Sequence, residues 1–211
     1  MQLLLITILP SILIVLFFVK SDRFKEPTKE IIKVFFLGIL ITIPAYFLNT
    51  YLSEIWYSTN ASEGIISSFL TAAPVEEGLK LSVLYFFVYK MKDFNEPIDA
   101  IVYGVAVSLG FAAYENFEYV SYAFLEGGED EASSTALIRS FTAVPLHALA
   151  GIFMGFFIRE AIFYKKNNKI SIYLSLFFPI CLHGFYNHII FSPNFSSFWI
   201  YFLLIAMLVR S

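Results

Sequence analysis

Apolar runs about as long as a bilayer is thick recur along this chain, and they exclude most folds before any motif is read. They lie at 3–19, 31–52, 65–89, 98–124, 135–158 and 170–191, with a shorter seventh at 197–209. A helix needs about 20 apolar residues to cross the hydrocarbon layer. A membrane β-barrel would show alternating segments of roughly ten, half the length seen here. The mean hydropathy of +0.72 and the 58% hydrophobic share agree, because a soluble domain of 211 residues could not hide that much apolar surface. The expected fold is all-α: a polytopic bundle of about seven spans, forming one integral-membrane domain over residues 1–211 in a cell membrane.

The breaks between runs are short and leave no room for a soluble domain. Leu3–Val19 lacks a basic leader and ends in Lys20-Ser21-Asp22-Arg23, with no small-residue cleavage site, so it reads as a retained span. A net charge of -3 argues against a nucleic-acid partner. A single cysteine, Cys181, allows neither an internal disulfide nor a thiolate metal site.

Twelve of the fourteen lysines and arginines fall in alternate breaks, after runs one, three, five and seven. The opposite breaks carry Glu54, Glu63, Glu126, Glu129, Asp130 and Glu131, with only Arg139 basic nearby. The positive-inside rule then places the N-terminus outside and the C-terminus in the cytoplasm.

The remaining basic residue, Lys80, lies inside run three with Glu76 and Glu77. An ionisable group at such depth costs on the order of 2.5–3.5 kcal/mol, so three together imply a function and partners on other helices. At a rise of about 1.5 Å per residue, the two glutamates lie roughly 17 Å from the outer end of their helix. His147, His183 and Glu115 fall at roughly 18, 12 and 13 Å in theirs. Four helices thus place polar groups in one band between the midplane and the outer leaflet. Pro74, Pro145 and Pro179 each precede one of these groups. Each proline frees a carbonyl, which lipid tolerates only where protein or a hydrated pocket satisfies it.

Neighbours in sequence, Glu76 and Glu77 diverge by about 100° around a helix and so take different roles. Lys80 can pair with either, at i+4 or i+3, and reads as the counter-charge. His147 shares a face with Gly151, and His183 shares one with Asn187, which could hold the imidazole tautomer or contribute a contact of its own. His188 looks sideways. Gly104, Ser108 and Ala112 form a small-residue stripe suited to close helix packing, and Glu115 continues that face inward. Glu118 sits nearer the rim. Glutamates with two histidines in a wet pocket suit water activation, either by a carboxylate base with imidazole donors or by zinc. Equally, such groups build proton relays or cation sites in an ion or proton-coupled transporter. Spacing alone leaves both readings open.

Several motifs occur together and in order: Asp22-Arg23 with Glu26-Pro27, Glu76-Glu77-Gly78-Leu79-Lys80, and Asp99 to Asn116 ending in Gly-Phe-Ala-x-x-Glu-Asn. His147-x-x-x-Gly151 and His183-Gly184-x-x-Asn187 follow. In these the chain resembles the PrsW intramembrane proteases, relatives of the CAAX-processing and Abi membrane proteases. The resemblance implies an endopeptidase in the lipid bilayer that cuts a single-span membrane protein, such as an anti-sigma factor, at its extracytoplasmic side. It also implies water activation by Glu76 and Glu77, with His147 and His183 binding metal or stabilising the oxyanion. Glu115, Asn187 and Lys80 would support them, and zinc, if used, would sit on His147, His183 and Glu77.

Overall fold

The computed structural model describes residues 2–57, 66–165 and 168–191, and every regular element among them is helical. In lipid this is the outcome backbone hydrogen bonding demands, since a helix satisfies its own N–H and C=O groups. Helix α1 is Gln2–Ser21, α2 is Thr28–Leu40 and α3 is Thr42–Tyr57. A π-helical turn, Ser67–Ala72, runs into α4, Ala73–Phe86, and a single 3-10 turn, Val88–Lys90, follows. The chain continues as α5, Asp99–Phe141, then α6, Ala143–Ile162, and α7, Asn168–Phe191.

Helix α5 is the axis. Residues 102–113 are all buried, so the helix is enclosed on every side, as expected of a segment apolar all round. The small-residue stripe sets how closely its neighbour approaches. A Cβ on Gly104 would lie 2.5 Å from the Gly151 carbonyl oxygen, and one on Gly151 would lie 2.6 Å from that of Gly104. Helices α5 and α6 therefore meet backbone to backbone, and Ser108 Oγ donates to the His147 carbonyl at 2.7 Å. Peripheral helices instead turn Leu5, Leu13, Phe17, Phe36, Phe47 and Tyr51 outward, where lipid solvates them.

Four helical stretches among the described residues are long and apolar enough to span a membrane: Leu3–Ser21, Thr28–Trp56, Asp99–Ile162 and Asn168–Ile190. The structure thus divides the expected spans differently. The fourth and fifth lie within one 64-residue stretch that turns back on itself at Gly128, whose φ of 76° is one glycine adopts readily. Val120 packs against Ala132 and Ala136 across this reversal, which falls in the acidic break. The chain breaks again at Thr142 (φ -122°, ψ -67°), inside what reads as one continuous apolar run. The second expected span is interrupted at Ile41, three residues before Pro44, a residue that cannot donate to the Leu40 carbonyl. The third falls outside the four stretches: its helix, α4, has 14 residues and carries Glu76, Glu77 and Lys80. The expected seventh run, 197–209, lies outside the described residues.

Candidate active site

Two of the three prolines start helices rather than bend them. Pro74 has no N–H to return to the Leu70 carbonyl, and the chain there widens into the π turn that leads into α4. Pro145 likewise releases the Phe141 carbonyl beside the Thr142 break. Each therefore sits in the first turn of a new helix, with Glu76, Glu77 or His147 just behind it. Pro179 stays inside α7, four residues before His183. Thr142 Oγ1 and Tyr186 Oη, 2.9 Å apart, tie the start of α6 to α7.

These helices bring the expected residues together. Glu77, Lys80, His147 and His183 are at most 1% exposed, and Glu76 is 6% exposed. Lys80 Nζ donates to Glu77 Oε1 at 2.7 Å and lies 3.0 Å from His147 Nδ1. An ammonium only donates, so Nδ1 accepts and the His147 Nε2–H points to Glu115 Oε2, 3.0 Å away. Arg139 Nη2 reaches the same Glu115 oxygen at 2.7 Å, and its Nε donates to Asn116 Oδ1 at 2.7 Å. On the other histidine, Nδ1 lies 2.9 Å from Glu77 Oε1 and donates to it. His183 Nε2 faces Glu76 Oε2 at 3.6 Å, too far for a direct bond. The two imidazole centroids are 5.0 Å apart.

Glu76 and Glu77 indeed take different positions. They flank His183 from opposite ring nitrogens: Glu77 is sealed behind it with Lys80, while Glu76 faces a cavity of about 860 Å³. That cavity opens between α3, which supplies Tyr46, Asn49 and Ser53, and α5, which supplies Phe111, Glu115 and Tyr119. Asn49 Nδ2 donates to Glu76 Oε1 at 3.2 Å. Glu118 lines the cavity too, exposed at its rim, as its sequence position suggests. Asn187 is half-buried one turn past His183 but forms no bond to it; the glutamates hold that imidazole instead. His188 points away, against Phe69. Along α4, α5 and α6 the polar cluster gives way toward the opposite face to buried Val83, Val105 and Met154.

Sequence reasoning missed Arg139, Asn49 and Ser108. Arg139 carried a signal, being the one basic residue beside an acidic break. Asn49 is a polar residue near the end of an otherwise apolar run.

The donor set can hold a metal. One ligand atom each from Glu77, His147 and His183 lies within 4.8 Å of the others, and Glu76, Glu115 and His183 form a second such group. Two imidazoles and a carboxylate are the three protein ligands of many catalytic zinc sites. Glu76 Oε2 and Glu77 Oε2 are buried without a hydrogen-bond partner. Three carboxylates also face only two permanent cations, Lys80 and Arg139, so the cluster accommodates further positive charge.

A family profile described as "PrsW family intramembrane metalloprotease" matches residues 26–210. "Protease PrsW" of Geobacillus kaustophilus is 35% identical over 197 residues, covering 91% of this chain and 79% of the relative. "Protease PrsW" of Bacillus subtilis is 35% identical over 200 residues, covering 93% and 85%. That of Clostridioides difficile is 34% identical over 194 residues, covering 90% and 79%. No solved structure matches the chain.

Proposed function

The chain belongs to the PrsW family of intramembrane metalloproteases, and from that premise we propose a division of labour among its polar residues and a class of substrate. The protein is a membrane-embedded peptide hydrolase. Its substrate, in this reading, is a single-span membrane protein such as an anti-sigma factor, cut near the extracytoplasmic side. The chain crosses the membrane seven times, N-terminus outside, so that the cavity between α3 and α5 opens in the outer half.

The observation that carries this reading is the position of Glu76. It is the one carboxylate of the Glu76–Glu77 pair that both borders the cavity and keeps a buried oxygen without a partner. A peptide drawn into the cavity meets Glu76 rather than Glu77. Glu76 takes the proton of the attacking water and returns it to the leaving amine. His183, fixed by Glu77 through Nδ1, turns Nε2 toward the same place and, when protonated, donates to the developing oxyanion. Lys80 neutralises Glu77 and holds His147, whose Nε2–H donates to Glu115, itself held by Arg139. Zinc on Glu77, His147 and His183, taking the place of the Lys80 and Glu77 hydrogen bonds to neutral imidazoles, would instead supply Lewis-acid activation of water and of the scissile carbonyl. Asn49 orients Glu76 from the cavity wall.

The test is reconstitution in proteoliposomes with a single-span substrate, followed by mass spectrometric mapping of the products. Cleavage in or beside the outer half of the span, abolished by Glu76→Gln and His183→Ala, is expected. Cleavage on the cytoplasmic side, or an activity untouched by both variants, would remove the reading.

A further inference from the structure

At the opposite end of α5 lies a second buried polar cluster, which peptide hydrolysis does not use. Asp22 follows α1, Glu26 precedes α2, and Asp99 is the first residue of α5. They are 3%, 7% and 0% exposed, and one oxygen from each lies within 4.8 Å of the other two. Sixteen residues separate Asp99 from Glu115, roughly 24 Å along the helix, so this cluster is distinct from the one around His183.

Half of its hydrogen-bonding capacity is fixed by protein. Asp22 Oδ1 accepts the Phe24 N–H at 3.0 Å, and Asp99 Oδ2 accepts those of Asn95 and Glu96 at 2.8 and 2.7 Å. Glu26 Oε2 accepts the Tyr103 hydroxyl. Of the other three oxygens, Asp22 Oδ2 and Asp99 Oδ1 are buried with no hydrogen-bond partner. Basic residues are close in sequence, yet Lys20, Arg23, Lys25 and Lys29 all point outward, and Arg23 rests on the Phe24 ring. None of the ion pairs among the described residues involves the three carboxylates. Burial pushes the Glu26 carboxyl up to about 7, with Asp99 and Asp93 adding repulsion and the Tyr103 bond opposing it.

Three buried carboxylates without a cation are costly unless something neutralises them. One shared proton, between Glu26 and Asp99, would serve two of them and leave Asp22 unmatched. The donors are all hard oxygens, with neither nitrogen nor sulfur within the group, which favours calcium, magnesium or manganese over zinc or copper. We propose that Asp22, Glu26 and Asp99 form a binding site for a hard divalent cation, which ties the α1–α2 connection to the start of α5. Asp22 and Glu26 belong to the Asp-Arg and Glu-Pro pairs of the sequence, and the site gives those pairs a chemical task. It stands independently of the protease reading.

The test uses the full-length protein in nanodiscs, stripped with chelator. Calcium, magnesium and manganese are titrated separately while thermal unfolding is followed, and terbium luminescence is excited through tyrosine, Tyr103 being in contact with the site. Asp22→Asn and Glu26→Gln keep the acceptors that Phe24 and Tyr103 use, so both variants should fold. The expected result is a saturable rise in Tm of roughly 5 °C or more for at least one cation. Sensitised terbium emission should accompany it, and that cation should compete it away. Both signals should vanish in the two variants and persist in His183→Ala, which touches only the other cluster. A wild type indifferent to all three cations would overturn the proposal. So would variants that respond as the wild type does, or a cluster stabilised by acidification alone.

Discussion

The Asp99 end of α5 and the stretch around Glu115 handle buried charge in opposite ways. Toward the cavity, Glu115 is matched by Arg139 at 2.7 Å and by His147 at 3.0 Å, while Glu77 is matched by Lys80 at 2.7 Å. Toward the basic breaks, Asp99 stands with Asp22 and Glu26 and no described cation pairs with any of them. Within the bundle, a charge far from water must be carried with its partner, because desolvating it alone costs several kcal/mol. Near the helix ends an ion can be recruited from solution instead. Fixed partners suit a site that must keep its geometry through many turnovers, and a recruited partner suits a clasp between connections.

The largest effect should come from breaking the paired stretch. Lys80→Met leaves Glu77 buried without its cation and should cost about 3–5 kcal/mol of stability, read by thermal or denaturant unfolding in nanodiscs. Adding Glu77→Gln should recover much of that loss without restoring proteolysis. Recovery of neither stability nor folding would show that Lys80 packs rather than neutralises. Next comes Arg139→Gln, expected to cost about 1.5–3 kcal/mol and to slow cleavage by freeing Glu115 and His147. A double-mutant cycle with Glu115→Gln measures that coupling directly.

The smallest effect belongs to the unpaired end and depends on pH. Glu26 is raised from 4.5 to about 7, so the folded state binds its proton more tightly than the unfolded chain does. Without divalent cations, this contribution is fully present below about pH 4.5 and fades as pH rises through about 7. The groups facing Glu26 are Asp22, Asp99, Asp93 and Tyr103, and none supplies a compensating positive charge. Saturating cation should flatten the profile, as should Glu26→Gln. An unchanged slope in Glu26→Gln would assign the dependence to other groups.

Much of the candidate site was legible because lipid removes ambiguity: a charge within an apolar run must face other protein. Hence Glu76, Glu77, His147, His183 and Glu115 could be grouped from depth, with Lys80 joined to them by helix spacing, and the structure brings them together. The Gly104–Ser108–Ala112 stripe predicted close helix contact, and Gly104 indeed meets Gly151. What hydropathy could not show were the breaks inside apolar runs. Ile41 interrupts a helix with only Pro44 to hint at it, and Thr142 does so within a run that still reads as one span, with Pro145 as the hint. Arg139 was hidden because a residue at a span's edge reads as orientation signal rather than as a partner. Helical spacing offered Asn187 either to hold His183 or to make a contact of its own, yet Glu77 reaches that ring from another helix, and one-dimensional periodicity carries no information on such crossings.

The account turns on Glu76 being the carboxylate that works on water. The direct measurement compares initial cleavage rates of one single-span substrate by wild type, Glu76→Gln and Glu118→Gln in matched proteoliposomes, with thermal unfolding as a control for folding. Glu76→Gln should lower the rate by at least about 10²–10⁴-fold with the fold intact, as loss of a general base does. Glu118→Gln, at the rim of the same cavity, should stay near wild type. A Glu76→Gln enzyme that cleaves at the wild-type rate would contradict the account.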